Sequence, residues 1–272
     1  MSISPESPIG IFDSGIGGLT VVKAVRKALP QENIIYFGDT ARVPYGIKSV
    51  ETVRQYAIQI TDFLLRKKVK LVLIACNTVS AAAHEDVKTR CGKIPALGVI
   101  EAGSRAAVEA GGKSIGVIGT LATIGSGTYD KSLAALDPEI SVFSRACPML
   151  VPLAEEGWTD NEIATLTLQT YLSDLKGKNL DSLILGCTHY PLFRDGIADI
   201  LNGTNTRIID SAESIARMAA ELLTEKKLMN RNDGSRQGSF ECYVSDKPQR
   251  FQQLAERFLG EKINRIEIVN LV

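Results

Sequence analysis

Short apolar runs alternate with polar loops and amphipathic stretches along most of the chain. Pro8-Ile9-Gly10-Ile11-Phe12 leads into Asp13-Ser14-Gly15-Ile16-Gly17-Gly18, after which Leu19-Thr20-Val21-Val22-Lys23-Ala24-Val25 begins an amphipathic helix that Pro30 ends. Residues 33–37 predict a second strand, followed by Gly38-Asp39-Thr40 and a Pro44-Tyr45-Gly46 turn, and residues 69–74 predict a third that delivers Cys76. Near-continuous apolar strands separated by helices predict parallel sheets covered on both faces.

The second half repeats this plan. Ile115-Gly116-Val117-Ile118-Gly119-Thr120 resembles Ile9-Gly10-Ile11-Phe12-Asp13-Ser14, residue 115 against residue 9, an offset of 106. Leu183-Ile184-Leu185-Gly186-Cys187-Thr188 resembles Val72-Leu73-Ile74-Ala75-Cys76-Asn77, residue 187 against residue 76, an offset of 111. Offsets this close predict two similar α/β domains. Boundaries near Gly98 and Asp210 give a first domain of residues 1–97 plus 211–272 and a second of residues 98–210. A helix is expected from Ala212, a strand over 240–244 and a helix over 248–259, with a polar loop over 230–238 whose Asp233-Gly234 pair signals a turn.

Composition narrows the classes. The chain has 272 residues, 44% of them hydrophobic, enough to bury a core. Thirty-one basic residues balance thirty-one acidic ones, so no nucleic-acid footprint is expected. The start has neither the charge nor the apolar core of a signal peptide, and no run approaches the roughly 18 apolar residues of a membrane span. A cytoplasmic protein without membrane contact is the expectation. The five cysteines, at 76, 91, 147, 187 and 242, show no CxxC spacing, which predicts free thiols and no metal site.

In open α/β sheets ligands collect beyond the carboxyl ends of the strands, and both Cys76 and Cys187 fall there. Each is followed by polar residues, Asn77-Thr78 in one half and Thr188-His189 in the other. Backbone amides and a helix N-terminus at that point are expected to lower a thiol's pKa. A matched pair of thiols suits an enzyme that removes a proton from one face of a substrate and returns one to the other. Cys91, Cys147 and Cys242 lack polar companions and read as small buried hydrophobes. Of the two histidines, His84 reads as a helix-surface residue, whereas His189 is either a turn residue or a proton shuttle beside Cys187. Asp13 and Asp39 both follow apolar strands, as solvated loop acids or as acids on the rim of the thiols. The glycines of residues 13–18 invite a phosphate-loop reading, but the Gly-Lys-Ser/Thr ending is absent and Asp13 would repel phosphate. A carboxylate or amino group is the better guest.

Four of these segments together resemble the glutamate racemases of the cofactor-independent aspartate/glutamate racemase superfamily. They are Gly10 to Thr20, Gly38 to Gly46, Ala75-Cys76-Asn77-Thr78 and Gly186-Cys187-Thr188-His189-Tyr190-Pro191, and the likeness runs from about Pro8 to about Gly260. The resemblance implies two pseudo-two-fold-related domains with the site between them. It implies interconversion of L- and D-glutamate without a cofactor, supplying D-glutamate for peptidoglycan and hence for cell-wall biogenesis and cell shape. Cys76 and Cys187 would be the acid/base pair, assisted by Asp13 and His189, with Asp39 and Glu155 as further supports. Asp13, Ser14, Tyr45, Gly46, Asn77, Thr78, Thr188 and His189 would bind substrate, and either Thr120 or Thr123 would add a contact. The oligomeric state stays open, a homodimer included.

Three other readings compete: a racemase of aspartate or another small acidic amino acid, a single-cysteine decarboxylase or hydrolase, and a ligand-binding module with incidental thiols. The duplication favours two-base chemistry, since a hydrolase needs one nucleophile and no mirrored partner.

Overall fold

Ten strands and eleven α-helices alternate through the computed structural model, which describes residues 3–230, 237–246 and 248–271. The Asp233-Gly234 turn lies outside the described residues. In chain order the first elements are β1 (Ile9–Asp13), α1 (Leu19–Ala28), β2 (Ile34–Gly38), α2 (Val50–Arg66), β3 (Leu71–Ile74), α3 (Asn77–Cys91), β4 (Ala96–Gly98) and α4 (Val99–Glu109). They are followed by β5 (Ser114–Gly119), α5 (Leu121–Gly125), α6 (Thr128–Leu136), β6 (Ser141–Ala146), α7 (Leu150–Glu156), α8 (Glu162–Lys176), β7 (Ser182–Gly186), α9 (Arg194–Ile200), β8 (Arg207–Asp210) and α10 (Ser211–Glu225). The chain then adds β9 (Phe240–Val244), α11 (Pro248–Leu259) and β10 (Ile266–Ile268).

The strands form two wholly parallel sheets, ordered β10-β9-β2-β1-β3-β4 and β6-β5-β7-β8. Without the appended β10 and β9, both sheets run second, first, third, fourth. Their registers also correspond: Ile9 pairs with Leu71 in one sheet and Ile115 with Ser182 in the other. Adding the sequence offsets of 106 to residue 9 and 111 to residue 71 turns the first pair into the second. The duplication expected from two short sequence matches therefore holds at the level of strand order and pairing.

Burial explains the strand composition. Every residue of β1, β2, β3 and β7 is buried, as apolar runs with helices on both faces require. On α1, Leu19, Val21, Val22 and Val25 face the core while Lys23 and Lys27 face water, and each fully buried side chain of this size contributes about 1.5–3 kcal/mol. Side-chain caps mark other helix starts: Ser49 Oγ accepts from the Thr52 amide at 3.3 Å and Asp210 Oδ1 from the Ala212 amide at 2.8 Å.

His84 departs from its expected place. It lies on α3, but its ring turns inward beside Gly98, and its Nε2 is buried without a hydrogen-bond partner. The helix packs against both α2 and α4, and its exposed residues, Glu85, Lys88, Thr89 and Arg90, lie in its second half. Among the described residues, no helix is long and apolar enough to cross a membrane, and no cluster of three His, Cys, Asp or Glu is placed to hold a metal ion.

Candidate active site

A cavity of about 350 Å³ opens where the carboxyl ends of the two sheets meet, and both Cys76 and Cys187 line it. Cys76 occupies the position before α3, and its carbonyl accepts the Ser80 amide at 2.8 Å. Cys187 immediately follows β7, and its carbonyl accepts the Tyr190 amide at 3.1 Å, starting a 3-10 turn over Tyr190–Phe193. Each thiol therefore stands where a fully buried strand gives way to a tight change of direction.

The surroundings of the two sulfurs differ. Cys76 Sγ is 3.5 Å from Ser14 Oγ, and burial, reinforced by the nearby Asp13 carboxylate, pushes its thiol up to about 12. This corrects the expectation of a lowered pKa at a helix start: the Val79 and Ser14 amides favour thiolate, but loss of water outweighs them. Cys187 Sγ is 3.9 Å from His189 Nδ1, whose Nε2 is 3.3 Å from Glu155 Oε1. Burial disfavours a charged imidazole, yet the hydrogen bonds to Cys187 and Glu155 prevail and push His189 up to about 10. One thiol thus sits beside a hydroxyl and the other beside an imidazolium.

Asp13 lies behind the cavity wall. It is fully buried, its Oδ2 accepts the Gly15 amide at 3.1 Å, its Oδ1 has no hydrogen-bond partner, and burial raises its pKa while the charge of His189 opposes the rise. Asp39 also stands back from the cavity. Its carboxylate accepts from Arg42 Nε at 2.6 Å, from Ser245 Oγ at 2.7 Å and from the Tyr45 hydroxyl, so it supports the wall.

Ser14, Tyr45, Gly46, Asn77, Thr78, Glu155, Thr188 and His189 all line the cavity, as does Thr120. Thr123 stays buried behind Thr120, which separates two residues that the sequence left equivalent. Asn77 Oδ1 accepts the Tyr129 hydroxyl at 2.7 Å, leaving its buried Nδ2 without a partner. With Gly15, the apolar residues Val43, Pro44, Ile47, Leu121, Pro148, Val151 and Pro152 complete the lining. Sequence reasoning missed these apolar residues as site residues because nothing in their chemistry marks them. Cys91, Cys147 and Cys242 are free, buried and outside the lining.

The glycines of residues 13–18 serve close packing. A Cβ on Gly17 would come within 2.2 Å of Thr188 Oγ1 and 2.6 Å of His189 Nδ1, so the loop of the first half lies directly against the Cys187 motif of the second. Thr20 Oγ1 reinforces the contact by donating to the Thr188 carbonyl at 3.3 Å.

Residues 19–219 match the family model described as Asp/Glu/Hydantoin racemase. A curated glutamate racemase from Syntrophus aciditrophicus is 52% identical over 98% of both chains, and one from Geobacter metallireducens is 51% identical over the same shares. Among solved structures, glutamate racemase RacE1 from Bacillus anthracis superposes with a TM-score of 0.93 at 38% identity, covering 98% of each chain. The glutamate racemase of Francisella tularensis in complex with D-glutamate gives a TM-score of 0.91 at 41% identity, again over 98% of each chain.

Proposed function

The chain belongs to the Asp/Glu/hydantoin racemase family and is an amino-acid racemase, and from that premise we propose that it interconverts L- and D-glutamate by a cofactor-independent two-base mechanism. The observation that carries this reading is the placement of Cys76 and Cys187 in one cavity, at equivalent ends of two sheets with the same strand order. The choice of glutamate is supported by relatives of that name over nearly the full chain and by a similar structure holding D-glutamate.

Inversion at a tetrahedral carbon requires a base on one face and an acid on the other. With the substrate Cα between the sulfurs, one thiolate removes the Cα proton while the other sulfur delivers a proton to the opposite face, and the roles exchange for the other enantiomer. Cys76 rests as a thiol, so its basic form must be generated in the complex. We assign the uptake of that proton to Asp13, whose buried carboxylate lies close enough to raise the Cys76 pKa and has one oxygen without a partner. Protonated His189 stands 3.9 Å from Cys187 as the donor on its side, oriented by Glu155.

The Cα proton of an amino acid is weakly acidic, so charge forming on the substrate carboxylate must be met by donors already in place. The free Asn77 amide and the hydroxyls of Ser14, Thr78, Thr120 and Thr188, with local backbone amides, supply them around the cavity. In cells this activity would supply D-glutamate for peptidoglycan and so serve cell-wall biogenesis. We read residues 1–97 with 211–272, and 98–210, as the domains that flank the site.

The test is incubation with each glutamate enantiomer in deuterated water without added cofactor. Deuterium is expected at Cα, with optical rotation decaying to zero. No exchange with either enantiomer would overturn the proposal, and exchange with aspartate alone would reassign the substrate.

A further inference from the structure

Two side chains from the last part of the chain reach the cavity walls from behind without lining the cavity. Ser245, immediately after β9, donates its hydroxyl to Asp39 Oδ1 at 2.7 Å and accepts the Ala41 amide at 2.8 Å. Asp39 is wholly buried, and its other oxygen receives the Tyr45 hydroxyl and Arg42 Nε. Arg42 is held in turn by Gln59 Oε1 at 2.5 Å and lies over the Tyr56 ring, 4.0 Å from its centroid. Tyr45 is therefore fixed from its hydroxyl end, and it and Gly46 form the wall near Cys76.

The opposite wall is reached by α11. Phe258 meets the His189 ring nearly perpendicular, with centroids 5.2 Å apart and an interplanar angle of 82°. Its neighbour Arg257 fills the space that a side chain at residue 157 would take: a Cβ on Gly157 would lie 2.1 Å from Arg257 Nη1. Gly157 closes α7, the helix that carries Glu155. A segment continuous with the first sheet thus braces the imidazole and the carboxylate supplied by the second half.

We propose that β9 with Ser245, together with α11, forms a clamp on both walls of the cavity, in which Ser245 and Phe258 are positioning residues for Tyr45 and His189. The physical need is specific. An imidazole rotates about a soft terminal torsion, and hydrogen bonds at its two nitrogens define an axis while leaving the tilt of the ring to its packing neighbours. Proton transfer demands placement within about 0.5 Å, and such placement comes from the groups behind the reacting ones. Phe258 supplies that support on the Cys187 side, and Ser245 supplies it through Asp39 on the Cys76 side.

The kinetic part of the test rests on the glutamate reading, and the spectroscopic part does not. Ser245→Ala is expected to raise KM for glutamate about tenfold with kcat nearly unchanged, and Ser245→Thr, which keeps the hydroxyl, to restore it. Phe258→Leu is expected to lower kcat about tenfold. With only two histidines in the chain, NMR titration isolates the His189 imidazole, and Phe258→Leu should move its midpoint. Should Phe258→Leu fail to fold, Phe258→Met serves in both measurements. Folded variants with unaltered KM, kcat and His189 titration overturn the clamp, as does a Ser245→Thr variant no better than Ser245→Ala. If the unsubstituted protein does not act on glutamate, the substrate reading fails while the His189 titration still decides the clamp.

Discussion

Thr78 Oγ1 and Thr120 Oγ1 meet at 3.3 Å across the junction of the two halves. Thr123 Oγ1 completes a triangle, 3.5 Å from Thr78 and 3.0 Å from Thr120. Thr120 also caps α5, accepting the Thr123 amide at 3.2 Å, and alone of the last two it faces the cavity.

Replacing Thr120 by Val is therefore expected to cost about 1 kcal/mol of stability from the lost cap and to raise KM. Thr123→Val leaves that cap's oxygen in place and should leave KM unchanged. Thermal unfolding and initial rates on both variants check the pair, and a KM effect confined to Thr123→Val would reverse the assignment.

Each thiol is needed in both directions if one removes the proton and the other returns it. Cys76→Ser and Cys187→Ser are each expected to slow racemisation of either enantiomer by about 10²- to 10⁴-fold. A one-thiol enzyme would keep full turnover in one of the two variants. Because enantiomers are equal in free energy, kcat/KM must stay equal for L- and D-glutamate in any active variant. Different roles for the sulfurs will therefore appear in the Cα-deuterium isotope effect of each direction.

His189 links the site to stability. Its folded-state pKa, pushed up to about 10, lies above the ordinary value of 6.5, so folding favours the protonated form. The resulting stabilisation is fully present below about pH 6.5 and is lost as pH rises through about 10. Thermal midpoints measured across that window should fall with rising pH, and His189→Asn should fall less steeply. Equal slopes for the two proteins would show that this imidazole is not charged in the folded state.

Much of the fold was legible because strands buried on both faces must be written in apolar residues. The strand and helix predicted over 240–244 and 248–259 occur with those bounds, and the equivalence of the halves could be read from two short matches. The thiols stood out because each interrupts an apolar run with a polar turn. What could not be read was direction and depth. Asp39 and Tyr45 belong to the same motif, six residues apart, yet the carboxylate is turned to Arg42 and Ser245 while the tyrosine lines the cavity. Desolvation of Cys76 depends on groups brought together from distant positions, so the sequence suggested the helix start and missed the burial that outweighs it.

The loop over residues 13–18 shows the same limit and offers the sharpest local test. Its glycines read as a loop holding a carboxylate or amino group, and Ser14 and Gly15 line the cavity, but Gly17 carries no side chain because the partner motif occupies that space. A methyl group there would stand 2.2 Å from Thr188 Oγ1 and 2.6 Å from His189 Nδ1, both well inside contact distance. Relief requires either the first loop or the Thr188-His189 turn to move, at a cost of about 1–3 kcal/mol. The turn carries the imidazole, and His189 Nδ1 is also its link to Cys187. Gly17→Ala is therefore expected to lower kcat by about tenfold or more while the protein stays folded. A loop that only cradles substrate would instead show raised KM with kcat preserved, and initial rates over a range of glutamate concentrations separate the two outcomes.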